Sequence, residues 1–354
     1  MIVVIVAGGS GTRLWPLSVP EYPKHLLSIV GDKSLLQNTF ERAKKITSVD
    51  KIYISTEAGH SDHVNEQLPE LSKDQVIVEP ARRDTMPCIM NALQFISTRH
   101  DPEEPIASIH ADHQIRDARG FAQAIKRAGS VSKKHQRIVL LGMEPNQPDI
   151  KYGYIQKGDV FDSDNFVHEI KSFKEKPAYE IAKGYFESGE YFWNMGYFVA
   201  PYNVFVDKIK SYADDEWTSQ LERLEKAKTT KERDAIYLDF QKEAIDIALM
   251  EKVPDLLVMP GTFDWMDVGS FDEIHQVTAR DESGNAVFGD NVHVLDSAQV
   301  YVRNDCKSRP LAVIGMDNVV VVNTEHGVLV MRTDQAQKVK QVAELLKKNP
   351  KEKS

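Results

Sequence analysis

The sequence predicts an α/β protein, a mostly parallel sheet covered by helices on both faces, followed by a smaller β-rich domain. Three observations carry this expectation. Short β-branched runs alternate with amphipathic stretches through the first 150 residues, as parallel strands joined by crossover helices do. Gly8, Gly9 and Gly11 stand directly after the first apolar run, where a strand-to-helix turn offers backbone N–H groups to a ligand. Beyond about Arg280 the pattern changes to short strands separated by turns.

The elements follow in order. The first strand is MIVVIVA. A helix over 35–46 comes next, because Ser34 and Gln37 have capping-box spacing and Leu35, Leu36, Phe40, Ala43 and Ile46 form an apolar stripe. Strands at KIYIST, PIASIHAD and RIVLLGM then alternate with helices over 86–100 and 121–131. From Tyr152 to about Pro260, strands (YGYIQKG, FVHEIKSFKEKP, LLVMPG) mix with helices over 178–188, 217–228, 231–241 and 243–252. This stretch reads as an insertion that completes the sheet and walls a cleft. After the boundary come NVHVLDS, AQVYVRN, LAVIGM, NVVVVNT and GVLVMRT, then an amphipathic helix over 335–346. The strands have a solenoid-like rhythm without a strict repeat period.

Composition narrows the function. The chain has 354 residues with 53 acidic against 44 basic side chains, a formal net charge of -9. That balance disfavours nucleic-acid binding and makes any phosphate site local. The N-terminal apolar run is too short for a signal peptide or a membrane span and ends in glycines, so a soluble cytoplasmic protein without membrane association is expected. Cys88 and Cys306 are the two cysteines; they form no zinc-type spacing and read as reduced thiols.

The glycine loop is not a Walker A motif, since no glycine-lysine-hydroxyl ending follows it. Nor is it a dinucleotide fingerprint, because Leu14 stands where the third small residue belongs. In their place are two cations, Arg13 after the turn and Lys24 in YPKHLL. A guanidinium fork and a compact ammonium suit a triphosphate, and read alone they are equally a surface pair beside a structural turn.

The stretch AGGSGTRLWPLSVPEYPKHLL (7–27) closely resembles the signature of nucleotidyltransferases that make nucleoside-diphosphate sugars, and RLWPLS with Trp15 resembles the mannose-1-phosphate guanylyltransferases in particular. Further landmarks occur in family order: VEPARRDTMPCI (78–89), HADHQI (110–115), YGYI (152–155), FKEKP (173–177), WNMGYF (193–198), EAIDIALMEK (243–252) and WMDVGSF (265–271). The resemblance implies a Rossmann-like nucleotidyltransferase domain with a mixed, mostly parallel sheet over 1–280. It also implies a small β-helix-like C-terminal domain over 281–354, ending in the amphipathic helix. The implied reaction is attack by mannose 1-phosphate on the α-phosphorus of GTP, giving GDP-mannose and pyrophosphate with Mg²⁺ as cofactor.

Carried over residue by residue, the resemblance assigns the triphosphate to Gly8, Gly9, Gly11, Thr12 and Arg13, and the flanks of the reacting phosphates to Lys24 and Lys176. It assigns Mg²⁺ to Asp112 and Asp267, and mannose to Gly153, Glu175 and Asn194. Glu79, Asp84 and Thr85 are expected at the nucleoside, where a carboxylate such as Glu79 suits the N1–H and N2–H₂ donors of guanine. Read without the family, Asp112 suits a turn, Asp267 an N-cap, FKEKP a solvated edge and the aromatic runs a core.

The chain departs from the family's pattern at several places. Asp84-Thr85-Met86-Pro87 stands where Asn-Thr-Ala-Pro is usual, and Ala244-Ile245-Asp246-Ile247 where Ser-Ile-Asp-Tyr is more common. His110 replaces a proline, and His326-Gly327 an acidic residue and alanine. These changes put base and sugar choice in question, so another sugar 1-phosphate, another base or a non-catalytic sugar-nucleotide-binding regulator are the alternatives. The chain leaves no room after Thr333 for the isomerase domain of longer relatives, so isomerase activity is not expected. A homodimer through apolar strands such as NVVVVNT is the expected assembly.

Overall fold

A computed structural model describes residues 1–9 and 11–348; residues 349–354 of the 281–354 assignment lie outside the described residues. The chain divides into two compact units, each assembled from separate stretches of sequence.

The first unit comprises Met1–Gly8, Thr39–Ala111 and Ile115–Trp265. Its sheet is built from β1 (Ile2–Ala7), β2 (Ile52–Glu57), β3 (Val76–Glu79) and β4 (Pro105–His110), with β5 (His113–Gln114) belonging to the other unit. It continues with β6 (Val139–Met143), β7 (Tyr154–Asp162), β8 (Val167–Lys174), β9 (Tyr191–Pro201) and β10 (Leu257–Pro260). The nine strands lie in the order β3-β2-β1-β4-β9-β6-β10-β8-β7. β1 is buried along its whole length, as expected for a central strand covered on both faces. Pairing is parallel among β1–β4 and between β6 and β10. It is antiparallel wherever β7, β8 or β9 takes part, which makes the sheet mixed.

The helices mostly follow the sequence pattern. They are α1 (Leu35–Ala43), α2 (Ser61–Gln67), α3 (Thr85–Ser97), α4 (Ala118–His135), α5 (Tyr179–Ser188), α6 (Tyr202–Tyr212), α7 (Asp215–Lys226) and α8 (Thr230–Asp239). The capping box of α1 is formed, with Ser34 N donating to Gln37 Oε1 at 2.9 Å and Gln37 N to Ser34 Oγ at 3.0 Å. Three differences stand out. β9 is buried on both faces along nearly its whole length, so period-two reading does not reveal it. α6 begins at Tyr202 with Pro201 as its N-cap residue; proline there marks a helix start, although it reads as a break. The helix expected over 243–252 is only a π-helical turn, Asp246–Met250. Among the described residues no helix is long and apolar enough to cross a membrane.

The second unit comprises Gly9–Asn38, Asp112–Gln114 and Met266–Ser354. β11 (Met266–Asp267) pairs antiparallel with β5, placing Asp267 opposite His113. α9 (Phe271–Val277) follows. The β-rich part consists of β12 (Ala286–Phe288), β13 (Val292–Leu295), β14 (Tyr301–Asn304), β15 (Leu311–Ile314), β16 (Val319–Thr324) and β17 (Gly327–Arg332). β12, β14 and β16 stack in parallel, as do β13 and β15, while β17 closes antiparallel on β16. This is β-helical coiling, with Asn323 Nδ2 donating to Asn304 Oδ1 at 2.9 Å between successive coils. A 3₁₀ turn (Thr333–Lys338) leads into α10 (Val339–Lys348). Leu14 and Leu17 share one buried core with Phe271, Tyr301, Val320 and Val322, so the loop after the glycines is anchored by apolar burial. Gly327 has φ 150° and lies against Trp15, where a Cβ would come within 2.7 Å of the indole.

The glycines differ in what they require. Gly11 has φ 54°, and a Cβ on it would strike the Ser18 hydroxyl and reach within 2.9 Å of Lys24 Cβ. Gly8 has open space around its Cα and no positive φ. Gly11→Ala should therefore destabilise the fold by roughly 1–3 kcal/mol in urea denaturation, while Gly8→Ala should leave the midpoint within about 0.5 kcal/mol of wild type.

Candidate active site

In the second unit, the chain leaves the glycines through a 3₁₀ turn, Thr12–Leu14, closed by Leu14 N donating to Gly11 O at 2.8 Å. Leu14 is fully buried, which fixes Arg13 next to it. Arg13 Nη1 lies 3.6 Å from where a Cβ on Gly269 would stand, so Gly269 admits the guanidinium beside the turn that follows Asp267.

Lys24 begins a second 3₁₀ turn, Lys24–Leu26, and is only 9% exposed. Its Nζ lies 2.7 Å from Asp112 Oδ2 and 3.1 Å from Asp267 Oδ1. Burial alone would depress the Lys24 pKa, but the two carboxylates hold it well above the usual range. Burial, the largest single influence, pushes Asp267 upward, as does Asp112, but the Lys24 charge and hydrogen bond together with His113 hold it below the usual carboxylate range. Asp112, His113 and Asp267 each offer a ligand atom, all within 4.8 Å of one another. Two carboxylates suit a hard cation that keeps water and phosphate oxygens in its other positions, and the imidazole extends the donor set toward borderline metals.

Asp267 is not the helix cap that the sequence alone suggests. Ser270 occupies the N-cap position of α9 without a side-chain cap hydrogen bond, and Glu273 Oε2 accepts from Gly269 N at 2.7 Å and from Ser270 Oγ at 2.9 Å. Those contacts leave the Asp267 carboxylate to Lys24 and the ligand cluster.

In the first unit, a different set of expected residues comes together. A Cβ on Gly153 would collide with Glu175 Oε2 and lie 3.4 Å from Asn194 Cβ, so glycine lets these two side chains converge without displacing the Glu175 carboxylate. Asn194 N donates to Gly153 O at 2.8 Å, and Asn194 Nδ2 donates to Asp246 Oδ1 at 2.7 Å. The Glu175 amide donates to Glu251 Oε1 at 2.9 Å, which fixes the strand end. Lys176 has φ 43° and a side chain that is 61% exposed, with Nζ 2.5 Å from Glu175 Oε1. Burial works to lower its pKa, and Glu175, Asp246 and Asp84 together raise it. Burial, reinforced by Glu175, pushes Asp246 up to about 7.

The residues expected at the nucleoside behave differently. Glu79 is 7% exposed and turned into the core: Oε1 accepts from Ser55 Oγ at 2.8 Å and Oε2 from the Tyr237 hydroxyl at 2.5 Å. Each oxygen thus accepts from a protein hydroxyl, and the two bonds tie β3 to β2 and α8. Burial raises its pKa, against the pull of those two hydrogen bonds. Asp84 is exposed, has φ 73°, and caps α3 by accepting from Thr85 N at 2.9 Å. Thr85 Oγ1 accepts from Ile245 N at 2.9 Å. His110, the residue in place of the family's proline, packs on Gly196, where a Cβ would meet its Nε2 at 2.7 Å.

The family model described as Nucleotidyl transferase matches residues 2–284. The chain belongs to this family. A second model, the MannoseP isomerase/GMP-like beta-helix domain, matches 289–346, in agreement with the β-helical coiling of the nucleotidyltransferase's last strands. The chain is similar to mannose-1-phosphate guanylyltransferase of Klebsiella pneumoniae, 36% identical over 99% of this chain and 74% of the relative. It is 34% identical to the enzyme of the same name from Escherichia coli K12, over 97% of this chain and 73% of the relative. Among solved structures, a Thermus thermophilus protein described as a mannose-1-phosphate geranyltransferase superposes with a TM-score of 0.87 at 28% identity, covering 98% of this chain and 99% of that one. The resemblance drawn from the sequence motifs is borne out at family level.

The structure sets three further groups beside the expected residues: His113 next to Asp112 and Asp267, Asp246 at Asn194, and Glu251 at the Glu175 amide. The signals were present, since HADH places His113 beside Asp112 and EAIDIALME carries both acids, but their roles depend on neighbours far along the chain.

Asp246 gives a pH prediction. The native protein holds a proton there from about pH 4 to about pH 7, a window in which the unfolded chain has released it. The associated stability is complete below that window and lost as the pH rises through it. Asp246→Asn should therefore gain stability relative to wild type by roughly 1–3 kcal/mol between pH 5 and pH 8, read by urea denaturation at both values; a constant difference would show that Asp246 does not titrate there.

Proposed function

We propose that this nucleotidyltransferase is a mannose-1-phosphate guanylyltransferase, converting GTP and mannose 1-phosphate to GDP-mannose and pyrophosphate. The observation that carries the proposal is identity of 33–36% along nearly the whole chain to proteins of that name. A catalytic span of 1–280 and a β-helical span of 281–354 belong to the same reading, supported by the family matches at 2–284 and 289–346. A cytoplasmic site of action accords with the two free cysteines.

The nucleophile is a phosphate oxygen that is already anionic, so no general base is needed. The protein's task is to offset repulsion between two anions, align them and stabilise charge on the leaving pyrophosphate. The amides around Gly8, Gly9, Gly11 and Thr12, with the Arg13 guanidinium, bind the triphosphate. Lys24 and Lys176 flank the reacting phosphates as compact charges. Asp112 and Asp267 hold Mg²⁺, with His113 beside them; when bound, the ion supplies charge stabilisation to phosphate oxygens. Gly153, Glu175 and Asn194, joined by Asp246, bind the mannose hydroxyls, and Glu251 positions Glu175. Asp84 lies toward the nucleoside, whereas Glu79 supports the core. The apolar strand NVVVVNT cannot pair across a two-fold axis, because as β16 it is buried and already paired with β14 on one side and β17 on the other; a homodimer would instead use the edge strand β17, where Val328 and Val330 are exposed.

Asp112→Asn and Arg13→Ala should each lower turnover by on the order of 10²-fold, the usual size for loss of one such electrostatic contact. The check is exchange of labelled pyrophosphate into GTP from GDP-mannose. Near-normal exchange in both variants would remove these residues from the site.

A further inference from the structure

Three hydrogen bonds tie the start of α3 to the segment that leads into the π-helical turn. Glu243 N donates to Arg83 O at 3.3 Å, Met86 N to Glu243 O at 3.1 Å and Ile245 N to Thr85 Oγ1 at 2.9 Å. Only the third comes from a side chain, so it alone can be removed by substitution. Ile245 is the residue immediately before the turn, where backbone N–H groups lack partners within the helix. Thr85 therefore caps this turn from another part of the chain, as an N-cap hydroxyl does within one helix.

The turn's first residue is Asp246, the carboxylate that accepts from Asn194 Nδ2 at 2.7 Å beside Glu175. Further support of the same segment comes from Trp217 Nε1, which donates to Glu243 Oε2 at 3.1 Å, and from Arg83 Nη2, which donates to Leu238 O at 2.6 Å. The usual tyrosine and serine of the family motif are here Ile247, which is exposed, and Ala244. Neither side chain can hydrogen-bond to hold the turn, and the Thr85 hydroxyl is the side-chain contact on its leading amide.

We infer that Thr85, although it sits in the segment expected to contact the nucleoside, is a positioning residue for the sugar side of the reaction. Its hydroxyl fixes the Asp246 turn, and through it the Asn194–Asp246 pair that receives the sugar hydroxyls. This rests on the assignment of Gly153, Glu175, Asn194 and Asp246 to the sugar 1-phosphate.

The test compares full-length wild type, Thr85→Val and Thr85→Ser. Valine keeps the shape and removes the acceptor; serine restores it. For Thr85→Val, the KM for mannose 1-phosphate should rise roughly 2- to 30-fold, the range that loss of one cap converts to. The KM for GTP should stay within about twofold, and Thr85→Ser should return both constants to near wild type. Hydrogen exchange of the 243–252 segment, measured without substrate, should accelerate in the valine variant and not in the serine variant. A rise in the KM for GTP with no change for the sugar phosphate would overturn the inference, as would unchanged exchange at 243–252 in Thr85→Val. If wild type itself turns over no GTP with mannose 1-phosphate, the guanylyltransferase reading fails, and the exchange measurement still decides whether Thr85 holds the turn.

Discussion

The Lys24 ammonium between the carboxylates of Asp112 and Asp267 is the constraint around which the second unit is arranged. Two half-buried carboxylates close together repel strongly in a medium less polar than water, and a cation between them relieves that cost. The local sequence follows from this requirement. Gly11 leaves room for the Lys24 stem, the β5–β11 pairing sets His113 opposite Asp267, and Ser270 with Glu273 closes the start of α9 without drawing on Asp267. A divalent cation on the same pair would meet the same demand for positive charge.

The first unit solves the opposite problem. Burial and the nearby Glu175 disfavour the charge on Asp246, and Asn194, Lys176 and Glu251 hold the geometry of the two acids in place. Lys176 at φ 43° and Asp84 at φ 73° are non-glycine residues in a costly backbone region, and both lie in the segments assigned to substrate. Strain of this kind persists where surrounding structure fixes it, and it gathers at functional sites. The π-helical form of Asp246–Met250 belongs to the same group of irregularities.

Much of this was legible in the sequence. Alternation of β-branched runs with amphipathic stretches gives β1, β2, β4 and β6 with α1, α3 and α4 but not the short α2 (Ser61–Gln67), and the capping box of α1 forms as its spacing requires. Gly11 was recognisable as part of a turn, whereas the close approach of Glu175 to Gly153 depends on partners elsewhere in the chain. What escaped reading depends on distant partners: β9 is hydrophobic on both faces, so its period is hidden, and Pro201 opens α6 where proline reads as an end. Glu79 shows the same limit from the other side. Its place in a family motif suggests a base contact, yet Ser55 and Tyr237, 24 and 158 residues away, claim both oxygens.

The most direct measurement is pyrophosphate release by the purified protein with Mg²⁺, run as a matrix of GTP, ATP, UTP and dTTP against mannose, glucose, N-acetylglucosamine and fucose 1-phosphates. The account predicts release with GTP and mannose 1-phosphate, well above every other pair. Release confined to a different pair, or to none, would contradict it.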